Sequence, residues 1–185
     1  MAIDDVGESP SVDATPSAAA TTSRGAHWIV FFGLAALVLV LDQIAKAWLV
    51  ANVSPGEIVN VVGDWIRLVF SQNSGALFGM LRDNAALFGL ASLGVIALIV
   101  VYHGKVGRSL YLSIALGLLL GGALGNVTDR LRLGYVVDFV DIGIGSFRWF
   151  TFNVADAAIS CSIVMLIAAA IIPSLAGLGE PSSDG

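Results

Sequence analysis

The 185-residue chain has little charge, two histidines and one cysteine. Charged residues make 12% of it, well below the roughly 25% of soluble globular domains. Hydrophobic residues make 57%, and the mean hydropathy is +0.88. A soluble fold of this size cannot hide so much apolar surface, which excludes a free cytosolic enzyme. Scarce basic residues exclude a nucleic-acid binder, and the hydropathy excludes disorder of the whole chain. The lone Cys161 closes no internal disulfide and supplies no metal cluster. In its apolar run it serves as a small hydrophobe. No His-Glu-x-x-His pair and no glycine loop ending in Gly-Lys-Ser/Thr occurs, so a zinc-protease motif and a phosphate-binding loop are both absent.

The net charge of −5 lies at the chain ends. Asp4, Asp5, Glu8, Asp13 and Arg24 give residues 1–26 a net −3, and Glu180 and Asp184 give residues 173–185 a net −2. The acidic balance therefore describes tails and not a partner-binding body. The first 26 residues are rich in Ser, Ala, Thr, Asp and Pro and lack a basic segment. They are expected to form a disordered tail and not a signal peptide. Residues 173–185 are expected to be a second disordered tail.

Between the tails lie four apolar segments, at about 28–50, 85–102, 109–127 and 153–172. Each is near the roughly 20 residues that cross a hydrocarbon core as a helix. The expected fold is an all-α membrane domain over 27–172, with four transmembrane helices and a small β-rich extracytoplasmic region. Four spans place both tails on one side, with the short turn 103–108. The other side receives two longer connections, 51–84 and 128–152. Val and Ile with Trp65 and Phe70 over 57–70 predict short strands along the membrane surface. Phe147, Trp149 and Phe150 around Arg148 predict an interfacial aromatic anchor. Gly117, Gly121 and Gly125, spaced by four, predict close helix packing.

Ionisable residues inside a membrane domain demand a partner or a task. Asp42 and Lys46, at i and i+4, can pair on one helix face. Topology gathers Lys46, Asn73, Asn126, Asp129, Arg130, Asp138, Asn153 and Asp156 near the surface opposite the tails. Each has a plain structural alternative. Asn153 with Asp156 reads as a helix cap with an acidic first turn, Asp129 beside Arg130 as an ion pair, and Asp138 and Asp141 as solvated loop acids. His27 and His103 both fall on the tail side, so no Ser-His-Asp triad can form in the cluster. Carboxylates and one lysine remain. Two close carboxylates suit water activation, one ionised and accepting a proton, the other protonated and donating. A Ser-Lys protease using Lys46 with Ser71 or Ser74, and a small proton- or ion-conducting protein, are the competing readings.

Five segments then stand in order: Asp42-Gln43-Ile44-Ala45-Lys46; Asn73-Ser74-Gly75-Ala76-Leu77-Phe78; Gly121 to Arg130; Val136-Val137-Asp138-Phe139; and Phe152-Asn153-Val154-Ala155-Asp156. Together, over about residues 28–172, they make the chain resemble the bacterial lipoprotein signal peptidases (signal peptidase type II). The resemblance implies a four-helix aspartyl endopeptidase of the inner membrane with both termini cytoplasmic and its site near the extracytoplasmic surface. It implies cleavage of prolipoproteins before a diacylglyceryl-modified cysteine, with no metal or organic cofactor. By motif it places the catalytic aspartates at Asp138 and Asp156. It puts Asn73, Asn126, Arg130 and Asn153 along the substrate, with Asp42, Lys46 and Asp129 in support. Charge counting points the other way. Arg24, Lys105 and Arg108 lie on the tail side, against Arg67, Arg82, Arg130, Arg132 and Arg148 opposite, so the positive-inside rule favours the reverse orientation.

Overall fold

The computed structural model describes residues 19–74, 85–106 and 109–177, with side chains of 25–74, 92–105 and 109–177. Residues 1–18, 75–84, 107–108 and 178–185 lie outside it, and with them most of both tails and the segment Gly75-Ala76-Leu77-Phe78. Four helices and four strands follow one another: α1 Ala19–Asn52, β1 Ile58–Val62, β2 Ile66–Asn73, α2 Ala85–Val106, α3 Leu110–Leu133, β3 Val136–Ile144, β4 Phe147–Arg148 and α4 Val154–Ile171.

Three helical stretches among the described residues are long and apolar enough to cross a membrane: Gly25–Asn52, Leu110–Leu133 and Val154–Ile171. The described part of α2, Ser92–Lys105, is a shorter apolar helix. α3 is the central helix, with 56% of its apolar window buried against 22% in α1 and α4. Gly117, Gly121 and Gly125 make that possible. A Cβ on Gly117 would meet the Phe31 carbonyl at 2.8 Å, and one on Gly121 the Ala35 carbonyl at 2.7 Å. Gly122 does the same toward α4, against the Ala155 carbonyl. Phe31, Ala35, Ile99, Leu116 and Leu120 fill the core these contacts enclose. At the tail end His103 of α2 is buried, stacks on Phe31 of α1 at 4.1 Å, and lies 3.0 Å from Ser113 Oγ of α3. The outer faces stay apolar and exposed, as at Ile29, Ile44, Trp48, Val164 and Ile171.

Several boundaries differ from expectation. α1 begins at Ala19, inside the expected tail, because the Ala-rich run upstream of the span continues the helix without a proline. α3 passes Val127 and runs to Leu133, where Gly134 ends it at φ +79°. Asn126, Asp129 and Arg130 are therefore helical and do not close the span. Pro173–Ala176 forms a 3-10 turn instead of disordered tail. The Ser109 hydroxyl donates to the Leu175 carbonyl at 3.1 Å and ties that turn to the start of α3.

The expected strands over 57–70 are present as β1 and β2. The second long connection also folds into strands, β3 and β4, which periodicity did not disclose. All four form one antiparallel sheet in the order β1-β2-β3-β4. Leu49 and Val53 at the end of α1 pack against Val137 and Phe139, fixing the sheet to the helices at the end opposite the tails.

Candidate active site

Asp42 and Lys46 pair as the i, i+4 spacing predicts, with Lys46 Nζ 2.7 Å from Asp42 Oδ2. A second carboxylate, Asp129 of α3, lies 2.8 Å from the same ammonium. All three side chains are buried. Asp129 therefore pairs with Lys46 across two helices and not with its neighbour Arg130, whose Nη1 donates to the Asn126 carbonyl of its own helix at 3.2 Å. Asp129 also accepts from the Val137 backbone N–H at 3.1 Å, tying α3 to β3. Asp42 accepts from the Ala155 N–H at 2.9 Å, at the start of α4 where a negative charge is favoured. Gly125 allows this, since a Cβ there would stand 2.6 Å from Asp42 Oδ2.

Lys46 also donates to Asn126 Oδ1 at 3.3 Å. An ammonium carries three N–H bonds and no acceptor, so Asp42, Asp129 and Asn126 engage all three. Among the described contacts none joins Lys46 to Ser71 or Ser74, so the geometry gives the Ser-Lys reading no support.

The start of α4 carries the two features expected of it. Asn153 Oδ1 accepts from the Asp156 N–H at 2.9 Å, and Asp156 Oδ2 accepts from the Asn153 N–H at 3.3 Å, a reciprocal capping box. The cap and the cluster are one object. The Asn153 side-chain nitrogen, turned outward by that cap, donates to Asp138 Oδ1 at 2.7 Å. Asn126 Nδ2 donates to Asp156 Oδ1 at 2.8 Å. Asn73, at the end of β2, donates to Asp138 Oδ2 at 2.9 Å. Asp138 and Asp141 are buried strand residues and not solvated loop acids.

Burial is the main influence on Asp138 and pushes its carboxyl up from 3.8 to about 6. The hydrogen bond from Asn73 opposes this, the charge of Asp156 adds to it, and Asn153 and Lys46 oppose it. A carboxyl so placed titrates well above the ordinary carboxylate range, beside a second carboxylate whose charge it feels.

Asp42, Lys46, Asn73, Asn126, Asp129, Asp138, Asn153 and Asp156 thus join in one hydrogen-bonded network, with Arg130 attached through a backbone carbonyl. Two features were not found by sequence reasoning. Gln43 bridges the helices, donating to Asp129 Oδ1 at 2.8 Å and accepting from Arg132 at 3.2 Å; its place beside Asp42 was the only signal. On β3, Asp141 binds Arg67 at 2.8 Å and Arg148 at 2.9 Å. Burial would raise its carboxyl, but hydrogen bonds and charges from Arg148 and Arg67 outweigh this and hold it below the ordinary value. Beside this lock, Ile66, Ile142, Ile144, Phe147, Trp149 and Phe152 line most of an apolar hollow of about 610 Å³. Trp149 and Phe150, expected as an anchor, are strongly exposed.

Residues 34–172 match the family described as signal peptidase (SPase) II. A lipoprotein signal peptidase of Syntrophomonas wolfei is 39% identical over 137 residues, covering 74% of this chain and 89% of that protein. One from Rhodococcus jostii is 38% identical over 168 residues, covering 86% and 82%. Among solved structures, a bacterial membrane enzyme determined by the in meso method at 2.3 Å superposes with a TM-score of 0.73 at 25% identity, covering 86% of this chain and 95% of its own. A second, at 1.9 Å, gives 0.71 at 27% identity, covering 80% and 93%. With the match spanning all four helices, the sheet and the carboxylate network between them, the chain belongs to the signal peptidase II family.

Proposed function

We infer that this chain is a membrane aspartyl endopeptidase that removes signal peptides from prolipoproteins, with Asp138 and Asp156 cutting the bond. The observation that carries this assignment is the hold of Asn153 on both carboxyls, its backbone N–H donating to Asp156 Oδ2 and its side-chain nitrogen to Asp138 Oδ1. Asp156 accepts a proton from water as the water oxygen attacks the scissile carbonyl carbon. Asp138 gives its proton to the carbonyl oxygen, forming a gem-diol. The C–N bond then breaks as the amide nitrogen takes the proton now on Asp156 and a gem-diol hydroxyl returns one to Asp138, freeing a new amino terminus and a carboxyl on the signal peptide. An apolar substrate that displaces water from the site strengthens the proton hold of Asp138 further.

The substrate is a precursor whose cysteine carries diacylglycerol, cleaved just before that residue. Two features support this. The network lies where the helix ends meet the sheet, at the level where a lipid-tethered bond sits. The apolar hollow shares β3 with Asp138, and Ile142 and Ile144 stand at even spacing from it on the same strand face. It fits an acyl chain and offers no polar partner to anything else.

α2 completes a set of four spans, both termini are cytoplasmic, and the sheet faces outward at the bacterial inner membrane. Arg67 and Arg148 are engaged by Asp64 and Asp141, so their abundance on the sheet side reflects how the sheet is locked. Reporter fusions at both termini test the orientation, and activity of a periplasm-dependent reporter at either end contradicts it.

The decisive assay offers purified protein a diacylglyceryl-modified precursor and its unlipidated form. The lipidated precursor is cut and the other is not, and Asp138→Asn and Asp156→Asn each abolish the cut while still inserting. Full processing by either variant defeats the assignment. The ion-conduction reading has less support, because the described carboxylates and Lys46 gather at one end and not across the bilayer depth. Proton flux in vesicles, lost with Asp156→Asn, would restore it.

A further inference from the structure

The ammonium at the centre of the buried triad of Asp42, Lys46 and Asp129 meets the site through one side chain, Asn126. Asn126 Oδ1 accepts from Lys46 Nζ and from Asn153 Nδ2, both at 3.3 Å, while Asn126 Nδ2 donates to Asp156 Oδ1 at 2.8 Å. A side-chain amide can face either way. Two donors at one end leave it a single satisfied orientation. The Asn153 donor is itself fixed by the helix cap and shared with Asp138 and the Val137 carbonyl, the last at 3.3 Å. Lys46 can only donate, and its position is set by two carboxylates from two helices.

We propose that Lys46 is a positioning residue that acts on Asp156 through Asn126, locking the amide so that its N–H faces Asp156 and Asp156 presents an accepting carboxylate to water. Without the ammonium, Asn126 can turn its oxygen toward Asp156, and the carboxylate then loses the donor that holds it in place for water. Among the described residues, the charged groups joined to Asp156 through the network are Asp42 and Lys46 on α1, Asp129 and Arg130 on α3, and Asp138 on β3. Lys46 alone among the cations reaches it through a side-chain amide. This role rests on the assignment of Asp156 as the water-activating carboxylate, and it concerns turnover and not substrate capture.

Lys46→Met combined with Asp42→Asn removes the donor and leaves the net charge of the triad unchanged. In the detergent-solubilised full chain, kcat falls about tenfold to a hundredfold while KM stays within about twofold. Lys46→Gln with Asp42→Asn keeps an N–H at the position and recovers most of the rate. Asn126→Leu falls at least as far as K46M/D42N, and the triple variant K46M/D42N/N126L falls no further than N126L, because two residues acting in series do not add. Losses that add, a K46M/D42N enzyme with the parent's kcat, or a loss confined to KM each overturn the relay. Where K46M/D42N does not survive extraction, the same cycle is run in native membranes, and losses that add have the same force. A parent that leaves the lipidated precursor uncut overturns the functional assignment, and the relay with it. A parent that cuts while the losses add overturns the relay alone.

Discussion

Asn153 holds Asp138 at 2.7 Å with the nitrogen of the same side chain whose oxygen caps α4. One residue therefore starts the last helix and aims a carboxyl on the neighbouring sheet. The two tasks can be separated. Asn153→Ser keeps a good cap and loses the amide nitrogen, so the melting temperature stays close to the parent's, within roughly 0.5 kcal/mol of stability. Turnover falls about a hundredfold. Asn153→Ala loses both the cap and the turnover. Equal destabilisation of the two variants in a detergent melt would contradict this division.

The two acids of β3 respond to pH in opposite directions. Asp138 titrates near 6 when folded, against 3.8 ordinarily. The folded state holds that proton more tightly than the unfolded chain, so the benefit is complete below about pH 4 and is lost as pH rises through about 6. Asp138→Asn is neutral at every pH. It melts above the parent at pH 8, by on the order of 2 kcal/mol, and alongside it at pH 4. Asp141 is held low by Arg148 and Arg67. Its contribution is present above the ordinary carboxylate range and disappears as pH falls through the lowered value. The parent's advantage over Asp141→Asn is thus clear at pH 7 and shrinks on acidification. Melts at pH 4 and pH 8 check the first sign, and melts at pH 7 and after acidification to below about pH 3 check the second.

Gly125 admits the Asp42 carboxylate against the α3 backbone, where a Cβ would stand at 2.6 Å. Gly125→Ala displaces that carboxylate and costs about 1–3 kcal/mol, together with most of the activity. Gly94 of α2 has nothing within 4 Å of a Cβ, so Gly94→Ala is neutral or stabilises by up to about 1 kcal/mol. Thermal melts of the pair measure how much of the loss comes from crowding and how much from helix propensity.

On the proposed assignment, the apolar hollow beside Ile142 and Ile144 sets a preference for acyl length. Ile142→Ser with Ile144→Ser raises KM about tenfold for a precursor with long acyl chains, roughly the 1.4 kcal/mol of two buried methylenes. A short-chain precursor is unaffected. The same rise for both precursors would place the lipid elsewhere.

What the sequence disclosed was whatever depends on neighbours along the chain. Asp42 and Lys46 share a helix face by spacing, Asn153 and Asp156 form a cap by spacing, and Val-Ile alternation marks β1 and β2. What it withheld depends on packing between elements. Asp129 sits beside Arg130 in sequence, but the helix turns it toward Lys46. β3 escaped because its alternation is interrupted by two acids, and those acids are compensated by arginines and asparagines from other strands and helices. Gln43 is a bridge only because α3 lies against α1. The five motifs, taken in order, identified the family without that information, because they mark the contact points themselves.

The placement of Asp156 on the last helix has a bearing on biosynthesis. Asp42, Lys46, Asn73, Asn126 and Asp138 all leave the ribosome earlier, and with Asp156 in the catalytic role proposed for it none of them can cut a peptide alone. On that assignment, a chain still being inserted is an unarmed precursor of itself.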